Sequence, residues 1–108
     1  MSNAFHQISQ VGTKLRAFCQ RWRVEEMSLF GSALGDSFAA DSDFDFLISF
    51  ADDAEWGLLE HIQMEEELAA ILGRSVDLVT RRAVERSHNI RRREHILATA
   101  QPVLVSII

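Results

Sequence analysis

The stretch from Met27 to Ile48 constrains the fold more than any other part of this chain. An apolar run, Met27 to Phe30, ends at Gly31-Ser32, and ten residues later Asp43-Phe44-Asp45 opens a second apolar run. Runs of this length read as strands, Val24–Phe30 and Phe44–Phe50, and the unbroken apolar character of the second is that of a central strand. Alternate residues of a strand point the same way. Asp43 and Asp45 therefore project together, while Phe44 and Phe46 face the opposite side.

Two carboxylates held that close repel each other unless a cation lies between them, and oxygen-only ligation favours a hard ion such as Mg²⁺. A glycine followed by a small hydroxyl at a strand-to-helix corner lets backbone N–H groups approach phosphate, so Gly31 and Ser32 are the candidate nucleotide-binding residues. Metal and phosphate cradle together are the equipment of phosphoryl or nucleotidyl transfer. At roughly 6% usage per residue type, four fixed positions coincide by chance about once in 10⁵ starting points. The competing origin is a set of Ser and Asp turn residues, and the flanking strands weigh against it.

The remaining elements follow from periodicity and breakers. Phe5, Ile8, Leu15 and Phe18 fall at helical spacing and predict one helix over Ala4–Arg21. A short helix over Ser32–Phe38 is expected to present its first turn to the phosphate site. Ala51-Asp52-Asp53 supplies a loop, and a helix from Glu55 to Leu72 stops at Gly73. Trp56, Leu59, Ile62, Ala69 and Leu72 read as its core-facing stripe, and Glu65-Glu66-Glu67 as a solvated surface. A third strand covers Val76–Val79, a short helix begins near Arg81, and a longer one over Asn89–Ala100 is stopped by Pro102. Val103–Ile108 reads as an edge strand. This order predicts an α/β (α+β) fold, a small mixed sheet with helices packed mainly on one face, with residues 1–108 forming a single domain. Asp77 inside Val76–Val79 is costly without a partner. A third strand beside the second would bring it to Asp43 and Asp45.

Charge narrows the partners. A net charge of −5 over 108 residues argues against non-specific binding to nucleic acid. Acidic residues dominate from Asp36 to Glu67, whereas Arg81, Arg82, Arg86, Arg91, Arg92 and Arg93 crowd one late segment. That run reads either as a solvated helix face or as a guanidinium patch for phosphates or an acidic partner. Cys19 is the single cysteine and, between Phe18 and Trp22, reads as a buried apolar residue. His6, His61, His88 and His95 make no zinc-site spacing. With neither a leader pattern nor an apolar run of membrane-spanning length, the expectation is a cytoplasmic protein without a membrane partner.

The Gly31-Ser32…Asp43-Phe44-Asp45 pattern, with Asp77 in Val76-Asp77-Leu78-Val79 after a helix and the arginine-rich segment to Leu97, resembles the nucleotidyltransferase superfamily that includes DNA polymerase β. It is most similar to the minimal, single-domain MNT branch, over about Trp22 to Ile96. The resemblance implies the polymerase-β-like fold, ATP as substrate, and Mg²⁺, as two ions, held by Asp43, Asp45 and Asp77. In such proteins the third aspartate also draws the acceptor oxygen toward deprotonation. Minimal members resemble antitoxins paired with a HEPN-type ribonuclease toxin, which implies a hetero-oligomer and transfer of AMP onto a toxin tyrosine. This chain has no tyrosine and cannot be its own tyrosine acceptor. It departs from many minimal members at Gly35-Asp36, where they carry Arg-Gly. Two other readings stay open: a protein that neutralises a toxin by contact alone, and transfer to a small hydroxylated molecule. Arg82 and His88 are spaced like a HEPN catalytic pair, but that domain is all-helical and this chain carries strands.

Overall fold

In the computed structural model, residues 3–31 and 43–105 are described. Along the chain come α1 (Asn3–Gln10), α2 (Gly12–Trp22), β1 (Val24–Phe30), β2 (Phe44–Phe50), α3 (Leu58–Leu72), β3 (Val76–Thr80), α4 (Arg81–Glu85), α5 (Ile90–Thr99) and β4 (Gln101–Val105). The strands form one mixed sheet in the order β3-β2-β1-β4. β1 pairs antiparallel with β2 and β4, and β2 pairs parallel with β3. A parallel pair needs a crossover, and α3 supplies it.

Strand alternation sorts the side chains into two layers. Met27, Leu29, Phe44, Phe46, Ile48 and Leu78 face one side and pack with Leu15 and Phe18 of α2 and Met64 and Leu68 of α3. Phe30 and Leu47 face the other side and meet Val84 of α4 and Ile96 of α5. The longer helices thus cover one face, as the strand and helix order predicts, and the short α4 and α5 close part of the second.

Helix ends follow local chemistry. Gly73 terminates α3 with φ +72°, in the left-handed region that glycine enters without penalty. Thr80 Oγ1 accepts from the Ala83 N–H, and Asn89 Oδ1 from the Arg92 N–H, so α4 and α5 each start on a side-chain cap. Pro102 falls inside β4, where an edge position tolerates its missing donor.

Several expectations are corrected. The single helix over Ala4–Arg21 is two, broken at Val11 (φ −113°, ψ 22°) just before Gly12, a poor residue for a helix interior. The stripe of α3 is displaced: Met64 and Leu68 are fully buried, whereas Leu59 is 65% and Ile62 42% exposed. Apolar residues surround the first turns of this helix, and only one of its sides can meet the sheet. Trp56 precedes the helix and stacks edge-on against Trp22 at 5.1 Å, donating its indole N–H to the Trp22 carbonyl.

The glutamate run is not all surface. Glu65 accepts the Leu78 N–H at 2.8 Å and His61 Nε2 donates to the Leu78 carbonyl at 2.9 Å, so α3 occupies the outer edge of β3. An unpaired edge is otherwise a template for aggregation. Glu67 accepts from the Trp22 indole and pairs with Arg21. Glu66 alone is exposed. β4 starts two residues earlier than expected, and the proposed helix over Ser32–Phe38 lies outside the described residues. No described helix is long and apolar enough to cross a membrane.

Truncating Met64 to Ala is expected to cost about 2–5 kcal/mol, read as a lower urea midpoint with unchanged slope. Cys19 is buried, as its neighbours predict, and burial pushes its thiol up to about 11. A thiol reagent at pH 8 should therefore label the native protein far more slowly than the urea-unfolded chain.

Candidate active site

The parallel β2–β3 ladder sets Asp45 directly opposite Asp77. Both lie on the face that carries Phe30 and Leu47, because strand neighbours in register point to the same side. Asp43 stands one residue before β2, two positions from Asp45. Burial raises the Asp45 carboxyl above the usual carboxylate range, and the negative charges of Asp77 and Asp43 raise it further, while Arg92 acts in the opposite sense. The Asp45 carboxyl thus feels the charges of both other carboxylates. Asp45 is half-buried, and Asp43 and Asp77 are exposed. Among the described residues none of the three is in an ion pair.

Gly31 completes this corner. Its φ of +77° lies in the left-handed region, and a Cβ there would run into Asp45 Oδ2 and come within 3.3 Å of Asp45 Cγ. Glycine is required twice, for the backbone turn and for the space that the carboxylate fills. Ser32, the expected phosphate-binding hydroxyl, lies outside the described residues, as do Gly35 and Asp36.

Carboxylate oxygens with uncompensated charge fit a hard divalent cation. The fold gathers them around Asp45 without closing a ligand shell: among the described residues no group of three or more His, Cys, Asp or Glu side chains stands ready to hold an ion. A cavity of about 1150 Å³ bounded by Phe50, Trp56, Leu58 and Arg82 lies at the opposite ends of β2 and β3 and includes none of Asp43, Asp45 and Asp77.

The sequence groups Arg92 with its neighbours and does not single it out. The late arginines form a single run in sequence, yet the fold gives them separate tasks. Arg81 pairs with Glu26 at 3.1 Å, and Arg93 donates to the Glu85 and Ser87 carbonyls at the α4–α5 corner. Arg92 acts on Asp45. Its position four residues before the buried Ile96, on the same side of α5, is the signal that could have singled it out.

The nucleotidyltransferase domain family matches residues 12–98. Over 66 residues the chain is 38% identical to the protein adenylyltransferase MntA of Thermococcus cleftensis, a match covering 61% of this chain and 65% of that relative. The chain thus spans just under two thirds of that relative's length. The solved structure of a candidate minimal nucleotidyltransferase superposes with a TM-score of 0.68 at 28% identity, covering 94% of this chain and 96% of that one. A toxin–antitoxin structure with AMP-PNP shares the fold at a TM-score of 0.66 and 18% identity, over 87% of this chain and 73% of that chain.

Replacing Gly31 by Ala should lower stability by about 1–2 kcal/mol from the backbone alone, with displacement of the Asp45 carboxylate adding to that loss in a urea titration. Asp45→Asn should do the reverse. A raised carboxyl binds its proton more tightly in the folded chain, so the ionised group detracts from stability once pH rises above the carboxylate range. Removing that charge is expected to raise the metal-free urea midpoint at pH 7. Mg²⁺ should stabilise the parent chain and leave this variant nearly unmoved.

Proposed function

The chain belongs to the nucleotidyltransferase domain family, and on that premise we propose that it is a Mg²⁺-dependent adenylyltransferase whose acceptor is a hydroxyl of a partner toxin. The observation that carries this reading is the alignment of Asp45 with Asp77 across parallel strands, beside a glycine whose missing Cβ leaves the room that the Asp45 carboxylate fills. Asp43, Asp45 and Asp77 would hold the metal. When bound, the metal neutralises the triphosphate and the pyrophosphate as it departs.

The chain's own residues supply position. Gly31 keeps backbone and carboxylate in contact at the end of β1, so the Asp45 side chain is fixed before substrate arrives. Asp77, exposed on the edge strand β3, would accept a hydrogen bond from an incoming hydroxyl and take its proton. The acceptor oxygen bonds to the α-phosphorus, the bond from that phosphorus to the β-phosphate oxygen breaks, and pyrophosphate leaves. Most of the rate gain in such a site comes from orientation and fixed charge.

The acceptor reading is supported by the relative's name, protein adenylyltransferase, and by likeness to toxin–antitoxin structures. A HEPN-type toxin with a tyrosine acceptor is the partner we propose, in a hetero-oligomer. A second reading, neutralisation by contact alone, is favoured by the exposed Leu58, Leu59 and Ile62 on α3.

Incubation with labelled ATP, Mg²⁺ and the co-encoded toxin should add AMP to a toxin tyrosine, read by mass. The Asp43→Asn/Asp45→Asn variant should lose this transfer by at least ~10²-fold while still melting cooperatively. Transfer by that variant at the parent rate would remove the carboxylates from the mechanism. Protection of cells by the variant would favour contact instead.

A further inference from the structure

α5 lies across the sheet face that carries the acidic cluster, anchored by Ile96 against Phe30 and Leu47. Phe30 is the cross-strand partner of Asp45, Gly31 follows Phe30, and Leu47 is two residues from Asp45 on the same face. Arg92 stands one helical turn before Ile96, and residues four apart share a helix side. The anchor therefore sets Arg92 on the side of α5 that meets this sheet face. Its backbone N–H is tied to the Asn89 cap at 3.1 Å, which fixes where the side chain leaves the helix. Arg91 is rotated by about 100° from this direction, and Arg93 is engaged at the helix corner.

Two further facts give Arg92 a ligand. It is exposed and, among the described residues, makes no ion pair, although its charge reaches Asp45. A guanidinium that is near a carboxylate but not locked to it remains available to an anion brought in beside that carboxylate. We propose that Arg92 is a phosphate-binding residue of this site, contacting the β- or γ-phosphate oxygens of the nucleoside triphosphate and staying with pyrophosphate as it leaves. The proposal rests on the adenylyltransferase reading. The guanidinium would supply positive charge from the helix side, opposite a cation on the carboxylate side, with planar donors suited to two phosphate oxygens.

The test is calorimetric titration of the full chain with a non-hydrolysable α,β-methylene ATP analogue in Mg²⁺, and separately with AMP. Arg92→Ala should weaken the triphosphate analogue roughly ten- to a hundredfold, the size of one charge-assisted contact, and leave AMP nearly unchanged. Arg92→Lys should recover part of the loss, and Arg91→Ala should behave like the parent. Melting midpoints within a degree of the parent would exclude a folding effect, and a KM rise exceeding any fall in kcat would match a binding role. Equal triphosphate affinity in Arg92→Ala and the parent overturns the proposal and leaves the adenylyltransferase reading standing. A parent chain that binds no triphosphate overturns both. A loss that is the same for AMP and the triphosphate analogue assigns Arg92 to the geometry of the site and removes it from the phosphates.

Discussion

Everything else depends on the register of β2 against β3. Phe44, Phe46 and Ile48 alternate with Asp45, Leu47 and Ser49, and Leu78 lies between Asp77 and Val79. Only one register buries Phe46 beside Leu78 under α2 and α3. A slip of one residue would drive a carboxylate into that core and expose the aromatic rings. The hydrophobic pattern therefore compels Asp45 and Asp77 into one row, although like charges opposite each other destabilise a sheet. Burial worth about 25 cal/mol per Å² over three aromatic and aliphatic strand positions outweighs a repulsion that is partly screened by solvent. The acidic row is a by-product that the core enforces and that a cation can discharge.

The crossover makes this register durable. α3 carries the chain from the end of β2 back to the start of β3, and its buried side, Met64 and Leu68, rests on the same aromatic layer. Its flank then completes the sheet edge through Glu65 and His61 on the two backbone groups of Leu78. One helix thus sets the distance, the packing and the outer hydrogen bonds of the strand that bears Asp77. Loss of any one of these would leave the third carboxylate poorly placed while the first two stayed where β2 holds them.

The strands were legible because their signal is local: apolar runs bounded by Gly31, Asp43 and Gly73 leave little choice of limits, and β1 and β2 have the expected bounds. The alignment of Asp45 with Asp77 was legible for the same reason, needing only the assumption that β3 neighbours β2. What the sequence could not give were features decided across the chain. Leu59 and Ile62 look as apolar as Met64 and Leu68, and only the helix's orientation on the sheet separates them. Glu65 and Glu67 are distinguished from Glu66 by partners 13 and 45 residues away. Ser32, central to the phosphate expectation, falls outside the described residues, so that part of the site rests on the sequence alone.

The arginines carry the same lesson into the electrostatics. A run of guanidinium groups in an acidic protein reads as one patch, and its charge would attract any polyanion. The fold disperses it: Arg81 is spent on Glu26, Arg93 on the helix corner, and the charge of Arg92 reaches Asp45. A bare cation is matched by acids alone, and a phosphate by hydrogen-bond donors and positive charge. Carboxylates on the strands and a guanidinium on the helix that covers the same face offer both signs of charge. A metal–triphosphate complex presents the matching pair of charges in one ligand. On the proposed reading, that complementarity joins the acidic row and Arg92 in one site, although the sequence between them spans the crossover helix and the last strand of the parallel pair.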